Sequence, residues 1–275
     1  MHNPLKQRKG ITLIELLVAL VITGILVAAI YRTFIGQQKT YTVQEQVVDM
    51  QQNVRFLING MMREIRMAGF GNVAMVLPVT SGGSTFNNVV NLNTPAAGAL
   101  TIVSATGSTT LTAIPASNQV TVASLTDAQG NMLFDLGDRK YVSIGGVESY
   151  TIINIVGTTL TLSGDLTYAH PVNIPVYAIR AISYQVGIVD GKPNLLRDEN
   201  TGAGGQSLAD NIEALQFGYL DANGNPTASP QNIRIVQMTL RARANDSDPE
   251  YKSDGGYRKR TIASNVRLWN MGLEL

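Results

Sequence analysis

The chain of 275 residues contains no cysteine, only two histidines and one tryptophan, and just 15% of its residues are charged. Without cysteine there is no disulfide scaffold, no thiolate-held zinc or iron–sulfur cluster, and no thiol nucleophile. His2 and His170 leave little for a histidine-built metal or acid–base site, and His170, beside Pro171, reads as a surface or turn residue. With 21 basic against 20 acidic side chains the formal charge is +1, which lacks the basic footprint that a nucleic-acid partner requires. The sequence holds no phosphate loop of the Gly-x-x-x-x-Gly-Lys-[Ser/Thr] kind, so motor ATPases are excluded. No economical Ser/His/Asp arrangement can be assembled either. The expectation is a protein that is not an enzyme and binds no cofactor.

What is present is unevenly distributed. Residues 1–10 are polar, with Lys6, Arg8 and Lys9 and no acid. Residues 11–30 are then almost wholly apolar, with Glu15 as their one charge. About 20 apolar residues at roughly 1.5 Å rise span about 30 Å, a bilayer core. The basic stretch ahead of it predicts a cytoplasmic N-terminus, with the rest of the chain on the far side. A plain signal anchor fits this pattern. So does a secretory signal peptide cut near Val27-Ala28-Ala29. Both leave Glu15 unexplained, and a carboxylate inside an apolar span is a functional candidate by default. A cut between Gly10 and Ile11 would place a new α-amino cation four residues before Glu15, giving that carboxylate a partner in its own chain or a neighbouring one.

Gly10-Ile11-Thr12-Leu13-Ile14-Glu15, after a basic leader and before an unbroken apolar run, resembles the class III signal of type IV pilins and type II secretion pseudopilins. The resemblance implies that prepilin peptidase cuts after Gly10 and methylates Ile11. It also implies that Glu15, the fifth mature residue, sets assembly register against the amino group of an adjacent subunit. Ile11 departs from the usual phenylalanine. Gly24 is expected to mark a local weak point, because glycine lowers the stability of an exposed helix by about 1 kcal/mol.

No proline interrupts the chain between Pro4 and Pro78, so a helix can continue past the membrane for roughly 87 Å in all, from Ile11 to Ala68. Val43, Val47, Met50, Val54, Leu57, Met61, Ile65 and Ala68 recur at spacings of three and four and form one apolar face. From Val54 onward that face is expected to pack on the chain's own head, and upstream of about Val48 on other subunits. Gly69-Phe70-Gly71 is expected to end the helix.

The remainder reads as β structure, with strands over residues 100–105, 119–122, 140–144, 148–156, 159–163, 176–186, 212–220, 234–243 and 257–269. Gly145-Gly146, Val156-Gly157, Asp190-Gly191 and Asn223-Gly224 are turn signals. Residues 81–118, poor in charge and rich in Ser, Thr, Gly and Asn, are expected to be an inserted lobe with long loops. The fold class is therefore α+β: a long N-terminal helix, membrane-embedded then amphipathic, on an antiparallel β-rich head. Its segments are a leader (1–10), a transmembrane and assembly helix (11–35), an amphipathic helix (36–71) and a periplasmic head (72–275).

The order of head segments also carries a resemblance. A strand ending Ile182-Ser183-Tyr184 leads to Leu195-Leu196-Arg197, and then to Leu208-Ala209-Asp210-Asn211-Ile212 and Phe217-Gly218-Tyr219. This is similar to the minor pilin PilW family, with the J-type pseudopilins of type II secretion as the alternative. The resemblance implies an inner-membrane protein that helps start pilus assembly at the filament tip and can enter the extracellular pilus. Its partners would be prepilin peptidase, other minor pilins, the major pilin and the inner-membrane assembly platform. A tip adhesin or ligand-binding module, using the 81–118 lobe, is a further alternative.

Asp221-Ala222-Asn223-Gly224-Asn225 has the look of a calcium loop. Pro226 stands where an EF-hand needs glycine, and Asn232 where it needs glutamate, so that pattern fails and a β-turn is expected. A looser calcium site near Asp221 stays open. Asp246, Asp248, Glu250 and Asp254 are expected to form a solvated loop.

Overall fold

The computed structural model describes residues 11–71, 79–81, 84–248 and 250–271. By its internal contacts the chain divides into two units, residues 1–49 and 50–275.

Helix α1 runs Leu13–Arg66. Its most apolar 18-residue window has a mean hydropathy of 2.8 and no buried residue, so it is long and apolar enough to cross a membrane. Thr33 satisfies its hydroxyl within the helix by donating to the Ala29 carbonyl at 3.0 Å, as an apolar surround requires. Helical structure continues through Gly24.

In the second unit the predicted apolar face is buried where expected: Met50, Val54, Leu57, Met61, Ile65 and Ala68, joined by Ile58. The helix ends in a turn at Gly69, whose φ is +77°. The chain then docks on the sheet, with the Gly69 N–H on the Val103 carbonyl and the Ala105 N–H on the Phe70 carbonyl, both at 2.9 Å.

The strands that follow are β1 (Val79–Ser81), β2 (Ser84–Phe86), β3 (Val90–Leu92), β4 (Leu100–Thr110), β5 (Gln119–Thr121), β6 (Tyr141–Ile144) and β7 (Glu148–Val156). Then come β8 (Thr159–Leu162), β9 (Pro175–Val189), β10 (Lys192–Asp198), β11 (Gln206–Asp210), β12 (Ile212–Leu220), β13 (Ile235–Arg243) and β14 (Lys259–Arg267). Every strand pair is antiparallel. β9 is the hub of a nine-stranded sheet. One of its edges pairs with β4 from Pro175 to Tyr184; the other takes β6 and then β10. A separate three-stranded sheet has the order β12-β13-β14. Asp190 and Gly191, both at positive φ, make the tight β9–β10 hairpin turn.

Three expectations need correction. The strand expected over residues 100–105 runs on to Thr110 as β4, paired along its length with β9, so this part of the 81–118 stretch is sheet and not an inserted lobe of long loops. At its buried end Thr101 is paired with β9, its hydroxyl meeting that of Ser183 at 2.5 Å and lying 2.7 Å from the Thr94 carbonyl, whereas Thr106, Ser108 and Thr110 at the other end are exposed. β10 and β11 are not among the expected strands. The acidic stretch near residue 250 is not simply solvated, since Asp248 is buried and takes the Arg258 guanidinium at 3.0 and 3.3 Å.

Candidate functional site

Thr12 lies just ahead of α1, so it is the N-cap and Glu15 is the third helical residue. The Thr12 backbone N–H and its hydroxyl both donate to Glu15 Oε2, each at 2.9 Å. The Glu15 N–H donates back to Thr12 Oγ1 at 3.3 Å. This is a reciprocal capping box. It satisfies N–H groups that the first helical turn leaves without partners, in a segment apolar enough to meet lipid. The pattern Thr-x-x-Glu was visible in the sequence, and Thr12 is the functional residue that reading missed. Glu15 Oε1 accepts no hydrogen bond among the described residues, so one carboxylate oxygen remains for a donor from outside the helix.

Of the expected site residues, Ile11, Glu15 and Gly24 lie on or beside α1, while Gly10 lies outside the described residues. Ile11 is highly exposed, as are the large apolar side chains that follow it up to Ile35. A Cβ built on Gly24 would meet nothing within 4 Å, so the glycine is not there to let another part of the chain approach.

The head holds two polar centres, one half-buried and one buried. In one, Glu64 of α1 is gripped by Arg197 of β10, with Nη2–Oε1 at 3.0 Å and Nε–Oε2 at 3.2 Å, and also accepts the Tyr184 hydroxyl. Burial alone would raise the Glu64 carboxyl, but these donors and the guanidinium charge outweigh it and hold it below its usual range. Arg197 Nη1 also reaches Glu199 at 2.6 Å.

In the other, Glu148 of β7 accepts from the Tyr150 hydroxyl at 2.7 Å, the Thr167 N–H at 2.8 Å, the Tyr168 N–H at 3.3 Å and His170 Nε2. Its carboxyl is likewise held low, since burial raises it and these hydrogen bonds lower it further. His170 is therefore not a surface residue: it is buried and pins the 163–174 loop to the sheet through Glu148.

At Asp221 the carboxylate makes a turn. Oδ1 takes the N–H groups of Asn223 and Asn225 at 2.8 and 2.9 Å. Among the described residues no three His, Asp or Glu side chains gather as a metal-holding group.

A family model described as the prokaryotic N-terminal methylation motif matches residues 5–31. No curated protein matches the chain. Among solved structures, a type IV-like pilin from Thermus thermophilus aligns with 80% of this chain and 97% of its own, at 8% identity and a TM-score of 0.33. The chain thus carries an N-terminal methylation motif on an apolar helix that leads into an antiparallel β head. The matched motif is a class III prepilin signal.

Proposed function

We propose that the chain is a minor type IV pilin of the PilW kind. Prepilin peptidase cuts between Gly10 and Ile11 and methylates Ile11. The subunit stays in the bacterial inner membrane through residues 11–35, with its N-terminus cytoplasmic and its head periplasmic, until the assembly platform extracts it. It then joins other minor pilins to start the filament, ahead of the major pilin. It acts through assembly and catalyses no reaction. The observation that carries this reading is the methylation motif over residues 5–31, with Glu15 placed in its capping box at the start of an unburied apolar helix.

The geometry suggests a division of labour for Glu15. Oε2 closes its own helix start, and Oε1 accepts the methylated ammonium of Ile11 on a neighbouring subunit. In a filament core an unpaired carboxylate is costly, so only the stagger that supplies the ammonium is tolerated. Burial of the apolar helices, worth about 25 cal/mol per Å2, drives the association. Gly24 is where the helix loosens as subunits pack, and any calcium held near Asp221 would serve only the head's turn.

The test separates processing from assembly. Glu15→Val is cleaved normally but fails to start filaments, whereas Gly10→Val keeps its leader. Normal filament numbers from the Glu15→Val subunit would contradict the register role. A secretion defect with normal pili would move the chain to the J-type pseudopilins.

A further inference from the structure

The sheet edges of the head are not treated alike. β3 and β5, which end branches of the large sheet, have three residues each, and β11 has five. Short edge strands are one way that folds discourage pairing with foreign chains. In the small sheet β12 lies against β9 and β10. β14 is different: it has nine residues and, among the described residues, pairs only with β13.

The register shows what β14 offers. The Ala244 N–H donates to the Arg258 carbonyl and the Leu268 N–H to the Arg234 carbonyl, so even-numbered residues turn their backbone groups toward β13. In an antiparallel pair these positions alternate. The N–H and C=O groups of Lys259, Thr261, Ala263, Asn265 and Arg267 therefore point along the free edge. Between the charged ends the strand has no proline, no charge and no bulge, and Thr261, Ala263 and Asn265 are exposed.

A groove of about 490 Å3 runs beside this edge, between Gln51 and Arg55 of α1 and residues 259–263 of β14. Arg55, Arg260 and Arg267 are exposed, and none has an ion-pair partner among the described residues. Lys259 is already committed to Glu213 and Asp254, at 2.9 and 3.6 Å. The free cations thus mark the ends of the edge, Arg260 with Arg55 at one and Arg267 at the other. Arg260 and Arg267 are an odd number of residues apart, so they lie on opposite faces of the sheet.

We infer that β14 is a docking edge for an extended segment of another protein, which adds as a strand and brings a carboxylate to each end, one on each face. Backbone pairing supplies binding that is indifferent to sequence, and the arginines select acidic ends and fix register. The inference concerns the head alone and does not rest on the pilus role.

The test uses the full chain in detergent micelles and two labelled peptides, Glu-Val-Thr-Val-Thr-Val-Thr-Glu and its counterpart with Lys at both ends. The acid-ended peptide is expected to bind at least about ten-fold more tightly, and to slow amide exchange at Thr261, Ala263 and Asn265. Combined Arg260→Glu and Arg267→Glu should reverse the preference. Ala263→Pro removes an outward N–H without costing a bond to β13, and should abolish binding with little change in the urea midpoint. Equal affinity for the two peptides, no binding of either, or unchanged exchange at those amides would overturn the inference. So would a homodimer that Ala263→Pro dissolves, since the occupant would then be a second copy.

Discussion

Arg197 holds Glu64 in a two-nitrogen fork, tying β10 to the buried stretch of α1 across 133 positions of sequence. Side-chain exposures of 21% and 25% place the pair at the margin of the core, where a bidentate geometry still counts but solvent weakens it. Arg197→Ala leaves the Glu64 carboxylate with the Tyr184 hydroxyl and the more distant Arg180 charge, and is expected to destabilise the head by about 2 kcal/mol. Urea unfolding followed through the single tryptophan, Trp269, measures it. A change well below 1 kcal/mol would mean that the fork is ornamental.

Stability should depend on pH with a defined sign. Glu64 and Glu148 both have carboxyls held below their usual values in the fold. Their contribution is fully present above the unfolded carboxyl value, about 4.3, and is lost as pH falls through the lower folded values. The urea midpoint should be flat from neutrality down to about pH 5 and fall below about pH 4. Glu64→Gln should flatten part of that fall, and a midpoint insensitive to acid would contradict the assignment.

Removing Glu148 should loosen one loop selectively. Glu148→Ala deprives His170, Tyr150 and two backbone N–H groups of their shared acceptor, at a cost of about 3 kcal/mol. Amide exchange at Thr167 and Tyr168 should quicken far more than in β9. Uniform acceleration across the head would show that the loop is not separately pinned.

Gly71 is the glycine where backbone and space both forbid a side chain. Its φ is +84°, and a Cβ would lie 2.5 Å from that of Ala105 and 3.1 Å from the Tyr177 ring. Gly71→Ala should cost about 2–4 kcal/mol, because strain and overpacking add. Gly60→Ala, inside α1 and with open space around the added methyl, should be neutral or stabilising by up to about 1 kcal/mol.

The helix was legible in the sequence because its signals are local: an apolar run, no proline between Pro4 and Pro78, and a stripe at spacings of three and four. The stripe's buried part, Val54 to Ala68, followed from the same periodicity. Long strands with Val, Ile and Tyr were legible too. What escaped depends on distant partners. The start of β4 was expected as a strand over residues 100–105, but its extension to Thr110 was not, because Thr106, Ser108, Thr109 and Thr110 carry no apolar pattern and only pairing with β9 orders them. His170 looked exposed because nothing near it in sequence announces Glu148 beneath it, and the Glu64–Arg197 fork joins residues whose pairing no local pattern encodes. Thr12 is a different case: its signal was local, but Glu15 drew attention as a charge in an apolar span rather than as half of a capping box.

The central claim concerns the start of the working chain, and intact-mass and N-terminal sequencing of the protein purified from membranes tests it most directly. The account predicts a chain beginning at Ile11, one methyl group heavier than the plain sequence, with Lys6, Arg8 and Lys9 gone and the formal charge turned negative. A chain that still begins at Met1, or one cut near Val27-Ala28-Ala29, would contradict it.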